Sequence, residues 1–408
     1  MKWEDNAQTQ RQGPLQSLKV VDASSIVAAP LATGLMADLG AQVIKVELPE
    51  RGDGLRALRP HKDGISLWSK VVNRNKDAIT LDLRRDEGRA ILMRLIKDAD
   101  VFAENFRPGT LEKWGISPEV LWEVNPRLTI LRVSAFGQDG PYAKMPGFAR
   151  IADAMSGFLS ICGYEDEAPL HPGHPIANSI TGLFGAFGVV AALYEKKLNP
   201  SANGQVVSVS LFESMFRILD FLAIEYDQLG EVRKRAGNRN PYASPGNCYK
   251  SRDGKWVTVA ASTQAMFERL MQAIGEGDLI ADPRFATNTS RLKNDDELDK
   301  RISSWFAKHD VDAAMDALHA HSATAAKVRD ISDLFTDPQV NATDMLVNVG
   351  DPDLGDVRMQ GVTPKFSRTP GEVRRPGREM GADNHDVYVE RLGLSEDELK
   401  ELINKKVI

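Results

Sequence analysis

The chain has 408 residues, of which 42% are hydrophobic and 26% are charged, a composition typical of a globular protein with two domains or one large one. Its formal net charge of −6 argues against a surface built to follow a phosphate backbone, so nucleic acid is not an expected partner. The first fifteen residues lack the basic start and apolar core of a secretory signal, and the two cysteines fit no metal or redox spacing, so a reduced, cytoplasmic protein is expected.

Apolar runs alternate with helical patterns through the first third of the chain. Predicted strands lie at 18–24, 41–47, 79–83, 101–105 and 128–137. One predicted helix begins near Pro30 and ends at Gly40, and another covers 86–99. This alternation predicts an α/β protein with a Rossmann-like, doubly wound parallel sheet, whose ligands would bind at the carboxyl ends of the strands. Neither GxGxxG after the first strand nor GxxxxGK(S/T) occurs, so a nicotinamide or nucleoside-triphosphate enzyme lacks its usual sequence support.

The middle of the chain has a different pattern. The apolar run at 180–194 has fifteen residues, whereas about twenty are needed to cross a bilayer, so we expect a buried helix and no membrane association. Further expected elements are strands at 205–211 and 255–261, a long helix from 212 to about 230 and short helices up to about 321. These elements suggest a smaller α+β domain at 226–330 and a linker at 201–225, between the two parts of a large domain at 1–200 and 331–408.

The last part of the chain contains an extended stretch and a helix. The extended stretch is expected from 345 to about 366. The final helix is amphipathic, and Ser395 with Glu398 at its start forms a capping-box pattern.

Seven segments, taken in order, resemble the class III coenzyme A (CoA) transferases. They are LKVVDASSIVAAPLATGLMADLGAQVIKVELPERGD at 18–53, NRNKDAITLDLR at 73–84, ADVFAENFRPGTLEKWG at 99–115, NPRLTILRVSAFGQDGPYA at 125–143, MPGFARIADAMSG at 145–157, ITGLFGAFGVVAALYEKKLNPSANGQVVSVSLFESM at 180–215 and PGNCYKSRDGKWVTVA at 245–260. The family includes formyl-CoA transferase and carnitine CoA-transferases, with α-methylacyl-CoA racemase as a relative. The resemblance implies a discontinuous large domain, a small domain, and an interlocked dimer with active sites at its interface.

The resemblance also implies a CoA site, with CoA and acyl-CoA as substrates rather than permanently bound cofactors. The implied contacts are Val27, Ala28, Val72, Asn73, Arg74, Asn75, Asn105, Phe106, Arg107 and Lys113. Cations and backbone donors suit the phosphates of a 3′-phosphorylated ADP, and an apolar slot suits its adenine. The alternative is that the arginines and lysine are ordinary surface charges, and that the asparagines form turns and caps.

The family's aspartate nucleophile aligns with Asn178, in the segment Ile176 to Gly182. An aspartate carboxylate there attacks the donor thioester, whereas an amide carries no negative charge and is a poor nucleophile. Asn178 could alternatively be only the N-cap of the helix that follows. The family has a second acidic residue, which follows the aromatic residue of a GYD-type segment, and the residue at that position here is Ala149. The racemase branch has a histidine and an aspartate for acid/base catalysis where this chain has Phe148 and Ala149.

Two missing groups favour a natural loss of activity. The sequence therefore predicts a CoA-transferase subunit that is inactive alone and pairs with an aspartate-bearing paralogue. Its expected substrates are an acyl-CoA and a carboxylate, and the resemblance suggests benzylsuccinate as the specific acceptor. The alternatives are an engineered Asp-to-Asn form of a homodimeric enzyme and a non-enzymatic acyl-CoA-binding protein. Metal binding by His171 and His174 is not expected, because no third ligand lies nearby. Ser24 and Ser25 lack the GxSxG pattern of a serine nucleophile.

Overall fold

The computed structural model describes residues 12–408. These residues form two compact units. The first consists of the chain up to Phe158 together with Pro172–Phe221 and Ala342–Ile408, and the second consists of Leu159–His171 and Leu222–Asn341. The domain limits expected from the sequence, with a small domain at 226–330, stay a prediction.

The described residues contain thirteen strands and sixteen α-helices. The strands are β1 Lys19–Asp22, β2 Gln42–Glu47, β3 His61–Lys62, β4 Ile65–Ser66, β5 Asp77–Thr80, β6 Val101–Glu104, β7 Thr129–Ser134, β8 Val206–Ser210, β9 Gly246–Lys250, β10 Trp256–Ala260, β11 Ala325–Lys327, β12 Leu346–Asp351 and β13 Gly355–Gln360. The helices are α1 Ala28–Asp38, α2 Leu67–Val72, α3 Asp86–Ile96, α4 Thr110–Lys113, α5 Pro118–Val124, α6 Ala149–Met155, α7 Ile176–Leu198, α8 Leu211–Arg217, α9 Leu222–Leu229, α10 Gln264–Ala273, α11 Asn288–Lys293, α12 Asp295–Phe306, α13 Val311–Ala320, α14 Ile331–Thr336, α15 Pro338–Ala342 and α16 Glu396–Asn404.

A six-stranded sheet forms the centre of the first unit, in the order β5-β2-β1-β6-β7-β8. All five neighbouring pairs are parallel, which confirms the predicted α/β architecture. Strands β2, β6 and β7 are buried along their whole length, as expected for a sheet covered on both faces. The chain moves outward in one direction from β1 and in the other from β6, so these adjacent strands form the topological switch point at which such sheets bind ligands.

Helix α7 is longer than the sequence pattern indicates, and it is buried on one side only. Its 23 residues pack against α1, β7 and β8 through a face of mostly small residues. The opposite face leaves large apolar side chains exposed, namely Leu183, Phe187, Val190, Tyr194 and Leu198. Among the described residues it is the one helix long and apolar enough to span a bilayer. The expectation of a buried helix is therefore wrong for this second face, because apolar positions continue around the helix.

The second unit has its own sheet and core. Strands β11, β10 and β9 form an antiparallel sheet, and β10 confirms the strand predicted at 255–261. The sheet and the helices beside it enclose a core that includes Val257, Phe267, Ile302 and Phe306.

Two other sequence predictions are corrected by the structure, and one is confirmed. The single helix expected from 212 to about 230 is two helices, α8 and α9, separated near Asp220, whose φ is +54°. The single extended stretch at 345–366 is the antiparallel hairpin of β12 and β13. The capping box of α16 is present, because Glu398 N donates to Ser395 Oγ and Ser395 N donates to Glu398 Oε2.

Candidate active site

Two cavities open at the carboxyl ends of the strands of the six-stranded sheet, both within the first unit. The Asn178 cavity has a volume of about 300 Å³ and is lined by Ser25, Ile26, Val27, Ala28, Leu58, Trp68, Asn105, Val133, Ser134, Ala135, Gly147, Phe148, Ala149, Arg150, Asn178 and Leu211. The Arg84 cavity has a volume of about 300 Å³ and is lined by Ala23, Ser24, Ser25, Lys45, Val46, Glu47, Leu48, Gly52, Asp53, Gly54, Leu81, Asp82, Leu83, Arg84, Phe106 and Trp114. Ser25 belongs to both, so the cavities lie on either side of the loop after β1.

Asn178 reaches its cavity because α7 packs very closely on α1. A Cβ atom at Gly182, one turn after Asn178, would lie 2.9 Å from the carbonyl oxygen of Ala28, so this approach requires glycine. The close contact places the first turn of α7 beside Val27 and Ala28. Asn178 is the third residue of α7, whose N-cap position is Pro175. The alternative that Asn178 is the N-cap of this helix is therefore wrong.

Ala149 reaches the same cavity through another close approach. A Cβ atom at Gly147 would lie 2.7 Å from Ala135 Cβ and 2.8 Å from a ring carbon of Phe136. Glycine thus lets the loop before α6 lie against the residues that follow β7, and Ala149 begins α6 at the cavity wall. Asn178 and Ala149, the two positions where the family resemblance led us to expect carboxylates, both line this one cavity.

The side chain of Asn105 holds the loop after β1 in place. Ser25 N donates to Asn105 Oδ1 over 2.8 Å, and Asn105 Nδ2 donates to the carbonyl oxygen of Ser25 over 2.7 Å. Ile26 N donates to Asp53 Oδ1 over 2.8 Å, and Ile26 has a φ of +68°, which is strained for a β-branched residue. Both polar atoms of the Asn105 amide group are therefore hydrogen-bonded to the loop between the two cavities.

Four buried charged side chains lie beneath this loop. Lys76 Nζ lies 2.9 Å from Asp22 Oδ2, and Lys45 Nζ lies 3.1 Å from Asp53 Oδ2 while it also donates to the carbonyl oxygen of Ser24. Burial opposes ionisation of Asp22, but Lys76 and Lys45 outweigh it and hold the pKa of Asp22 below its usual range. Burial lowers the pKa of Lys76, although Asp22 partly offsets this effect. The sequence analysis missed this network, for which Lys45, a lysine inside the predicted strand at 41–47, was a signal.

Four of the ten expected CoA contacts line one of the two cavities, and the other six do not. Val27, Ala28 and Asn105 line the Asn178 cavity, and Phe106 lines the Arg84 cavity. The other expected contacts line neither cavity, and they are Val72, Asn73, Arg74, Asn75, Arg107 and Lys113.

Arg74 and Asn75 already have structural partners. The Arg74 guanidinium is buried and binds both carboxylate oxygens of Asp38, with Nη2 2.6 Å from Oδ2 and Nε 2.9 Å from Oδ1. Asn75 Nδ2 donates to Asp38 Oδ1 and to the carbonyl oxygen of Glu372. A phosphate would have to compete with the Asp38 carboxylate for Arg74. At the other end of the same sequence segment, Arg84 pairs with Asp82 but keeps a half-exposed side chain that lines its cavity, and it was not singled out from the sequence.

The two histidines of the LHPGHP segment belong to different units, His171 to the second and His174 to the first. His174 Nε2 lies 3.0 Å from Ser179 Oγ, one residue after Asn178. Within residues 12–408 no group of three or more His, Cys, Asp and Glu side chains is arranged to hold a metal ion.

The chain is similar to known proteins along nearly its whole length. Residues 15–384 match the model of CoA-transferase family III. The chain is 39% identical to the succinyl-CoA–D-citramalate CoA-transferase of Chloroflexus aurantiacus, over 97% of this chain and 98% of that protein. It is 37% identical to the succinyl-CoA–L-malate CoA-transferase beta subunit of the same organism, over 97% and 98% of the two chains. A crystal structure of a CAIB/BAIF family protein from Brucella suis superposes with a TM-score of 0.83 at 31% identity, covering 93% of this chain and 99% of that one.

Proposed function

The chain belongs to CoA-transferase family III, and from that premise we propose that it is the subunit of a succinyl-CoA-dependent CoA-transferase that does not itself supply the attacking carboxylate. The observation that carries the proposal is the Asn178 cavity, in which Asn178 and Ala149 occupy the two positions where the family pattern has acidic residues. A carboxylate is ionised at neutral pH and can form an anhydride with the acyl group, whereas an amide is neutral and cannot do so.

The two cavities suit the two ends of an acyl-CoA. The Arg84 cavity offers the Arg84 guanidinium for phosphate, together with Leu81, Phe106 and Trp114 as apolar surface for adenine. The pantetheine arm would pass the loop at Ser25, which both cavities share, and bring the thioester to Asn178. Arg84 and Arg74 each pair with a carboxylate, Asp82 and Asp38 respectively, but the Arg84 side chain is half-exposed in its cavity whereas that of Arg74 is buried. We therefore assign the phosphate contact to Arg84 in preference to Arg74.

We propose that the working enzyme is an interlocked heteromer with a paralogue that carries an aspartate at the position of Asn178. A relative that is named as a beta subunit supports a two-chain enzyme. The exposed apolar face of α7, with Phe187 and Tyr194 at 73% and 63% exposure, supports a large partner surface. The alternative is a homodimer of this chain.

The acceptor is proposed to be a succinate that carries a substituent at its second carbon. The two relatives act on citramalate and malate, which are both substituted succinates, and benzylsuccinate belongs to the same chemical class. The comparisons thus favour hydroxylated acceptors over the benzylsuccinate expected from the sequence, which remains a candidate. An acyl-CoA substrate, and two cysteines that are not joined by a disulfide, Cys162 and Cys248, are consistent with a cytoplasmic enzyme.

The test is to measure CoA transfer from succinyl-CoA to malate, citramalate and benzylsuccinate by the chain alone and by the chain co-expressed with an aspartate-bearing paralogue. We expect turnover only from the pair, and turnover by the single chain would refute the proposal. Asn178→Asp in the chain alone should not restore turnover, because Ala149 still lacks its carboxylate. Full restoration would favour an engineered form of a homodimeric enzyme, and binding of acyl-CoA without turnover in any pairing would favour a binding protein.

A further inference from the structure

The Asn178 cavity contains one charged side chain among its lining residues, that of Arg150. Arg150 is the second residue of α6 and is exposed. Within residues 12–408 it forms no ion pair or side-chain hydrogen bond, whereas Arg132 and Arg74 of the same unit are each held by a carboxylate. An arginine that lines a cavity without a protein partner is available to a ligand.

The charge of this cavity follows from the residues at two other positions. Asn178 and Ala149 both lack the carboxylate of the family pattern, so Arg150 gives the lining a formal charge of +1 instead of a net negative one. The remaining polar groups are neutral, and they include the hydroxyls of Ser25 and Ser134. A cavity of this charge favours an anion, and a guanidinium binds a carboxylate through two parallel hydrogen bonds.

We propose that Arg150 is a specificity-determining residue that binds the free carboxylate of a four-carbon dicarboxylyl group, such as the succinyl group of succinyl-CoA, in the Asn178 cavity. This inference rests on the proposed function, because it requires the thioester to lie beside Asn178. A succinyl group keeps one carboxylate after it forms a thioester, and that carboxylate is the feature that distinguishes it from a butyryl group of the same length. The volume of about 300 Å³ suits a group of this size.

The experiment is isothermal titration calorimetry of the purified full chain with CoA, butyryl-CoA and succinyl-CoA. We expect succinyl-CoA to bind at least about tenfold more tightly than butyryl-CoA, the effect of one charge-assisted hydrogen-bonded pair. Arg150→Gln should bring the ratio of the two dissociation constants to about 1, and Arg150→Lys should keep part of the preference because it keeps the charge. The matched control is Arg368→Gln, because Arg368 is exposed and lines neither cavity, and it should leave the ratio unchanged.

The outcomes distinguish a failure of the role of Arg150 from a failure of the proposed function. Equal binding of succinyl-CoA and butyryl-CoA to the unaltered chain would overturn the role of Arg150 while leaving a CoA-binding subunit in place. A preference that persists in Arg150→Gln would overturn it as well. Failure of all three CoA species to bind would instead refute the proposed function. The affinity for CoA itself should be the same in the variants, which shows that they are folded and that the effect is confined to the acyl group.

Discussion

Asn105 shows how one side chain can shape a candidate site through the backbone of a neighbouring loop. Its amide makes two hydrogen bonds with the backbone of Ser25, in the loop that separates the two cavities. The neighbouring Ile26 is held in a left-handed conformation by its bond to Asp53, and a residue of this type does not adopt that conformation without support. We infer that the shape of this loop depends on the side chains around it.

Replacing Asn105 by alanine should therefore weaken acyl-CoA binding. Asn105→Ala removes both bonds to Ser25, and we expect the dissociation constant for CoA to rise about tenfold. The control is Asn404→Ala, an exposed position at the end of α16, which should change neither binding nor stability. Calorimetry measures the affinity and thermal unfolding measures the stability. Unchanged CoA affinity in Asn105→Ala would show that the loop keeps its shape without this side chain.

Strand β5 lies at the edge of the six-stranded sheet, and charged pairs tie it to the C-terminal part of the first unit. Asp77, its first residue, lies 2.9 Å from Arg391 Nη1 through Oδ2 and also contacts Arg375. Burial opposes ionisation of Asp77, but Arg391 and Arg375 outweigh it, so the pKa of Asp77 is lowered. These two ion pairs hold β5 in place, and as an edge strand it has a neighbour in the sheet on one side only.

Asp77→Asn should lower stability in a pH-dependent way. Because the pKa of Asp77 is lower in the folded state, its contribution is fully present above the unfolded pKa of about 3.9 and is lost as the pH falls through the folded value. We expect the variant to lose about 3 kcal/mol of unfolding free energy at pH 7, and the difference from the unaltered chain to shrink below about pH 4. Urea unfolding at several pH values measures both, and a constant difference would contradict the assignment.

The packing of α7 on α1 leads to a second prediction about these elements. Gly182→Ala adds a Cβ atom 2.9 Å from the carbonyl oxygen of Ala28, and backbone cannot move aside as a flexible side chain can. We expect a loss of about 1–3 kcal/mol in unfolding free energy, together with weaker acyl-CoA binding, because Asn178 and Ala28 would separate. Gly173→Ala is the control, since a Cβ atom there would meet nothing within 4 Å. Equal stability of the two variants would show that α7 has room to shift.

The molecule exposes apolar side chains on surfaces of both units. In the first unit they follow one face of α7, and in the second they include Ile224 and Leu229 of α9. Isolated exposed apolar residues are ordinary, but a row along one helix face is a feature of protein interfaces. The row on α7 has helical spacing, from Leu183 to Leu198.

Phe187→Glu should therefore disrupt association with a second chain. Phe187 is 73% exposed and lies in the middle of the row, so a carboxylate there would be buried in any interface that covers it. We expect the variant to shift from dimer towards monomer in analytical ultracentrifugation, with unchanged circular dichroism. The control Ile403→Glu lies on α16, away from this row, and should leave the assembly unchanged. An unaltered dimer of Phe187→Glu would exclude this face from the interface.

The sequence allowed the sheet and the capping box of α16 to be predicted, for different reasons. Strands β2, β6 and β7 are buried on both faces and thus appear as runs rich in apolar residues, and the capping box of Ser395 depends only on local contacts. The hairpin of β12 and β13 also depends on a local turn, in which Asp353 N and Leu354 N donate to Asp351 Oδ1 and Gly355 has a φ of +73°. The break between α8 and α9 lies at Asp220, whose φ is +54°, and the apolar pattern does not mark it.

The candidate CoA contacts show a related limit. The segment NRNKDAITLDLR has Arg74 near one end and Arg84 at the other, and either could bind phosphate by its chemistry. The strand predicted at 79–83 already ends just before Arg84, so the rule that ligands bind at the carboxyl ends of parallel strands could have identified this residue. The pairing of Arg74 with Asp38, 36 residues earlier in the chain, is visible only in the structure.

The exposed face of α7 also has a consequence for the life of the chain inside a cell. In the proposed heteromer, a newly made chain that has not yet met the second subunit presents Phe187, Tyr194 and Leu198 to the solvent, and such surfaces attract chaperones and proteases. We expect the amount of this chain in a cell to follow the synthesis of its partner, with unassembled copies degraded. A pulse–chase measurement of its half-life, with and without the partner, would reveal this dependence as a quality-control mechanism that keeps the two subunits in equal number.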